Sequence, residues 1–196
     1  MLFITIFLLV VTMWSDSVLF EAYRKENMSV WKEYVDRSSD SERDLIYEYG
    51  FCGYMVAKAK ESGEEAKLEE AKRRVAHFKS QITNHKSHLP VGHYEMFLSA
   101  VYVFELRLHE SIHPVKAMSL AKEAAKLAPA DPVVLSYYGT CLFYAPKPFG
   151  SKQEALRWFE RAQKGFEAPA YRFHWMREAN EMYIRQCQEK LQKAEK

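Results

Sequence analysis

Between Leu98 and Pro169 the apolar positions fall three and four residues apart, the spacing that lines one face of a helix, and they do so twice in the same order. Ala117, Ala121 and Ala124 lead to Pro129. After Asp131 and Pro132 come Leu135, Tyr138, Gly139 and Leu142, then, past a loop, Ala155, Phe159 and Ala162. Small residues at these intervals let two helices press closely together. Counted from Leu98 and from Pro132 the offset is 34 residues, which predicts successive helix-turn-helix units.

The same pattern extends toward the N-terminus. Ile46, Tyr49, Gly50 and Gly53 stand as Leu135, Tyr138, Gly139 and Leu142 do, so a more divergent unit begins near Arg43. Its first helix runs through Lys60 to a turn at Ser62-Gly63, and its second buries Ala71, Val75 and Phe78. The next helix starts after Pro90, with Tyr94, Phe97, Val101, Phe104 and Leu108 in one stripe, and closes before Pro114. The units expected are approximately 43–83, 98–131 and 132–169. The segment 18–37 precedes them as one bent helix or two short ones, broken near Asn27-Met28-Ser29 with Ser29 as a cap. A helix over 171–194, burying Trp175, Ala179, Met182, Tyr183 and Cys187, caps the array with a charged outer face. The expected fold is all-α.

Leu2 to Trp14 is apolar apart from Thr5 and Thr12, and Ser15-Asp16-Ser17 suits signal-peptidase cleavage before Val18. Residues 1–17 therefore read as a signal peptide and 18–196 as one helical domain. As a helix the run is about 20 Å long, short of the roughly 30 Å hydrocarbon core, so a membrane anchor through residues 2–14 is the second reading. Export to a periplasm is the expected location, and membrane contact is expected only through an uncleaved leader.

Composition narrows the function classes. With 196 residues and 48% apolar content the chain can bury a sizeable core. Its 28 lysines and arginines interleave with 26 acidic residues along the helices, which argues against nucleic acid as a partner. Cys52, Cys141 and Cys187 are too dispersed for a disulfide framework or zinc ribbon and read as buried thiols.

From about Asp40 onward the chain resembles exported bacterial tetratricopeptide (TPR) proteins. The resemblance is carried by the 34-residue offset and by Tyr144-Ala145-Pro146-Lys147-Pro148-Phe149-Gly150 followed by Glu154-Ala155 and Phe159-Glu160-Arg161-Ala162. The proline loop is also similar to one in the periplasmic TPR component associated with TRAP-type transporters. These resemblances imply a TPR-like helical array. Ala121 departs from the pattern where a large aromatic is usual, and Glu105 stands where a small residue is expected.

His109-Glu110-Ser111-Ile112-His113 matches H-E-x-x-H, in which two imidazoles one helical turn apart bind zinc and the glutamate is general base. Pro114 disfavours helical geometry at His113, so a helix end with two surface histidines is expected, with no metal and no cofactor. His85, His88 and His93 lie close in sequence but lack the fixed cysteine or carboxylate spacing of a metal site. No nucleophile elbow, phosphate loop or dinucleotide fingerprint occurs, and the chain is not expected to be an enzyme.

In the TPR register the groove is lined by first-helix residues that face away from the second helix. Here these are Tyr47, Phe51 and Tyr54, then Tyr102, Leu106, His109 and Glu110, then Ser136, Thr140, Phe143 and Tyr144. The expectation is a non-catalytic protein-interaction or scaffold module holding a peptide or protein in an aromatic concave groove. The alternative is a transport accessory protein for a small apolar solute, and a remote one is zinc-dependent hydrolysis through His109, Glu110 and His113. Whether the groove is open, or covered by the segment 18–37 or the loop 144–151, the sequence leaves undecided.

Overall fold

The computed structural model describes residues 16–37, 42–109, 113–168, 171 and 173–194, so residues 1–15 of the expected signal peptide 1–17 lie outside these. Every long element is helical. In chain order they are α1 (Asp16–Arg24), α2 (Met28–Arg37), α3 (Glu42–Ser62), α4 (Glu65–Asn84), α5 (His93–Arg107), α6 (Pro114–Leu127), α7 (Pro132–Tyr144), α8 (Lys152–Phe166) and α9 (His174–Ala194), with a 3-10 turn at Lys86–His88. Among the described residues no helix is long and apolar enough to cross a membrane.

Local chemistry sets these boundaries. Asp131 caps α7 by accepting hydrogen bonds at Oδ1 from the amides of Val133 (2.9 Å) and Val134 (3.1 Å), with Pro132 at the first helical position. Ser151 caps α8 by accepting from the Glu154 amide at 3.3 Å. Gly63, at φ 66°, takes the left-handed conformation that reverses the chain between α3 and α4. The break between α1 and α2 falls at Glu26 (φ 54°), so Ser29 lies inside α2 instead of capping it.

The helices pack as consecutive pairs, α3 with α4, α5 with α6 and α7 with α8. Neighbouring pairs meet where α5 touches both α3 and α7. Contacts between partners follow the small residues. Ala117, Ala121, Ala124 and Ala125 are the buried residues of α6, and Gly139 sits so close to Phe159 of α8 that a Cβ there would lie 2.8 Å from the ring. Large apolar side chains fill the spaces between, each stabilising the fold by about 1.5–3 kcal/mol relative to exposure.

Two expectations change. Helix α5 begins at His93, so Leu98 lies inside it, and a 34-residue offset counted from Leu98 does not join equivalent positions of α5 and α7. On α9, Met182 faces solvent (36% exposed) while Asn180 is fully buried, its Nδ2 donating to the Phe159 carbonyl and to Gln163 Oε1, each at 3.0 Å.

The first and last described helices pack against these pairs. Helix α9 packs along α8 and also reaches α7 and α1, while α2 lies against α3. The N-terminal and C-terminal helices therefore meet over α3.

Candidate functional site

Tyr47 and Phe51 were expected to line an open groove on α3; the end helices cover Tyr47, and Arg74 of α4 covers Phe51. The apolar stripe of α1 and α2 needs a face to bury against, and α3 supplies it. Trp31 packs edge-on to Tyr47 (5.1 Å) and Trp175 (5.2 Å), and its Nε1 donates to the Leu19 carbonyl at 2.7 Å. The Tyr47 hydroxyl donates to Asp16 Oδ1 at 2.8 Å, leaving the residue 1% exposed. Burial first, then the Asp16 carboxylate, raises its pKa.

Phe51 is also buried, beneath the Arg74 guanidinium at 5.3 Å. Arg74 in turn bonds Glu48 and Asp36, tying α4 to α3 and α2. The buried Cys52 thiol lies 3.6 Å from Glu48, and burial above all drives its pKa well up. A shallow cleft of about 240 Å³ opens beside this cluster, floored by Phe51 and Met55 and rimmed by Lys32, Glu70, Arg73, Arg74 and His77.

The second set of expected groove residues lies elsewhere. Tyr102 sits between Lys116 Nζ of α6 (4.7 Å) and Lys79 Nζ of α4 (5.7 Å), so it points toward the second helices of the pairs. Glu105 follows it, pairing with Lys79 at 2.8 Å. Leu106 is half-buried, and exposed His109 contacts Lys60 Nζ at 2.8 Å. The misplaced register at Leu98 is the cause. Glu110 lies outside the described residues.

Neither histidine of the H-E-x-x-H sequence is in a helix. Helix α5 ends at Arg107, His109 has φ 61°, and His113 precedes Pro114 with its ring edge-on to Tyr102. The two histidines therefore do not stand on one turn of either described helix. Among the described residues no three His, Cys, Asp or Glu side chains gather as metal ligands. His93 is buried at the start of α5, its Nε2 3.0 Å from Asp131 Oδ2, and joins two pairs of helices.

On α7, Ser136 is buried and Thr140 half-buried, its hydroxyl donating to the Ser136 carbonyl at 3.0 Å. Deeper in, Tyr137 bonds Ser99 at 2.8 Å, and burial raises the neighbouring Cys141 thiol to about 11. Phe143 is 1% exposed, packed against Tyr183 of α9. Tyr144, next to it, is 67% exposed.

The expected set thus divides into a covered part (Tyr47, Phe51, Ser136, Phe143), a part beside the second helices (Tyr102) and a part that is half-buried or exposed. Tyr54, 36% exposed, stacks on Phe51 at the edge of the covered face. Among the described residues the largest aromatic exposure is at the end of α7, at Tyr144, and in the following loop, where Phe149 is 60% exposed. Lys152 Nζ at the start of α8 stands 4.0 Å from the Phe143 ring centre and Lys190 Nζ of α9 4.4 Å from it. Sequence reading found Tyr144 and the loop but not Phe149, Lys152 or Lys190. The signal available was a bulky apolar residue between Pro148 and Gly150, in a loop with no core to enter.

No protein-family model matches the chain, and comparison with curated proteins and with solved structures also gives no match.

Proposed function

We propose that this chain is a non-catalytic protein-interaction module of tetratricopeptide-like build, which engages its partner at the α7–α8 loop and adjoining α9 instead of in the covered face of α3. The paired helices support the TPR-like reading, as does the close approach of Gly139 to Phe159. One observation carries the functional reading: Tyr144 and Phe149 stand exposed at one end of an array whose other aromatic rings are largely consumed in packing. Aromatic side chains dominate the energetics of protein interfaces, and exposed ones grouped on a rigid scaffold mark such a surface.

The experiment is capture of a partner by the purified chain from its native host, beside a Tyr144→Ala/Phe149→Ala double variant. Loss of the captured protein with an unchanged melting curve is expected. Undiminished capture by the folded variant would move the interface elsewhere.

A further inference from the structure

We infer that the surface formed by Tyr144, Phe149, Lys152 and Lys190 docks an acidic protein segment in which an apolar side chain lies between carboxylates. This deepens the interaction reading above and rests on it.

The two ammonium groups lie 4.0 and 4.4 Å from the same Phe143 ring centre, so they are no more than 8.4 Å apart (4.0 plus 4.4). Ion pairs elsewhere on this molecule are plentiful, many of them local helix pairs such as Lys58 with Glu61 and Lys67 with Glu64. Among the described residues neither Lys152 nor Lys190 forms one. Burial, and then the charge of Lys190, lowers the Lys152 pKa, and no carboxylate is among the groups acting on it. The Phe143 ring face attracts both cations but leaves their net charge in place.

The N-terminus of α8, capped by Ser151, adds positive potential at the same point, and the loop carries a further cation in Lys147. Two like charges on one ring, neither in an ion pair, cost energy in the free protein, and an incoming pair of carboxylates relieves that cost. Tyr144 and Phe149 supply the apolar contact between them.

Aromatic and lysine side chains together also suit an anionic membrane surface, and the geometry weighs against that occupant. Asp16, which follows the apolar leader, bonds Tyr47, and Tyr47 packs on Phe173 just before α9. Lys190 lies near the other end of that helix, roughly 24 Å away at about 1.5 Å per residue. The surface therefore lies at the end of α9 opposite to the one that Asp16 adjoins.

The test is fluorescence anisotropy with a short fluorescein-labelled peptide of Glu and Asp residues around Leu and Phe, beside the same peptide carrying Gln and Asn. Flotation with phosphatidylserine-containing vesicles runs in parallel. The acidic peptide should bind, the amide peptide should bind about tenfold more weakly or not at all, and added salt should weaken binding. Lys152→Glu/Lys190→Glu should lose about tenfold or more, while Lys164→Glu, on an exposed part of α8, should not. Thermal melting checks that each variant is folded, and Lys152→Gln/Lys190→Gln replaces any that is not. Equal binding of both peptides, no binding, or lysine-dependent binding to vesicles alone overturns the inference. Should partner capture succeed while the acidic peptide fails, the interaction reading stands and this one falls.

Discussion

Trp31 and Trp175 meet edge to face over Gly50, with ring centres 5.2 Å apart and planes at 75°. A Cβ on Gly50 would lie 2.7 Å from the Trp31 ring and 2.9 Å from that of Trp175. The two indoles come from opposite ends of the chain, and the glycine lets both settle on α3. Gly50→Ala gains about 1 kcal/mol of helix propensity but must push apart two rings that hold each other, so net destabilisation of about 1–2 kcal/mol is expected. Gly139→Leu should cost about 1–3 kcal/mol against Phe159. Urea unfolding midpoints read both, and an unchanged midpoint for Gly50→Ala would mean the indoles do not close over it.

Tyr47 and Tyr144 should separate on the same measurement. Tyr47→Ala removes a buried ring and one of the donors to Asp16 Oδ1, leaving Arg43 Nε at 3.1 Å, for a loss of about 3–5 kcal/mol. Tyr144→Ala removes a largely exposed side chain and should change stability by about 0.5 kcal/mol or less. Equal losses would contradict the covering of α3.

Glu48 is the buried partner of Arg74, with side-chain exposures of 3% and 15%. Glu48→Ala leaves the guanidinium with Asp36 alone and should cost about 3 kcal/mol or more, as breaking one side of a buried pair does. A loss below about 1 kcal/mol would show that the pair is solvated.

Asp131 gives a pH signature. Burial pushes its pKa up, but His93 and the amides of Val133 and Val134 outweigh that, and the folded value lies below the ordinary 3.8. A depressed carboxyl stabilises the fold above its unfolded pKa and loses that contribution as pH falls through the folded value. Asp131→Ala should therefore be about 1 kcal/mol or more less stable at neutral pH, with the gap closing below about pH 3.8. A gap that persists at pH 2 would assign the loss to something other than the carboxylate charge.

Much of this fold could be read from local signals. Asp131-Pro132 and Ser151 carry their own start chemistry, Ser62-Gly63 its own turn, and the stripe Phe97, Val101, Phe104 and Leu108 is buried as its spacing implied. The failures came from long-range packing. Nothing local in α2 or α9 says that Trp31 and Trp175 meet, and that meeting decides whether Tyr47 faces a partner or the core. Tyr102 was assigned correctly to α5 but to the wrong side of it, because the side depends on where α4 and α6 lie. Lys152 and Lys190 stand in different helices, and only the fold brings them to one ring.

The central claim is that a partner meets the α7–α8 loop and not the face that the repeat spacing suggested. Photocrosslinking in the native host tests it most directly, with p-benzoylphenylalanine placed at position 144 or at position 102. The account predicts a discrete crosslinked partner from 144, absent on Lys152→Glu/Lys190→Glu substitution, and none from 102. Crosslinking from 102 with none from 144 would contradict it.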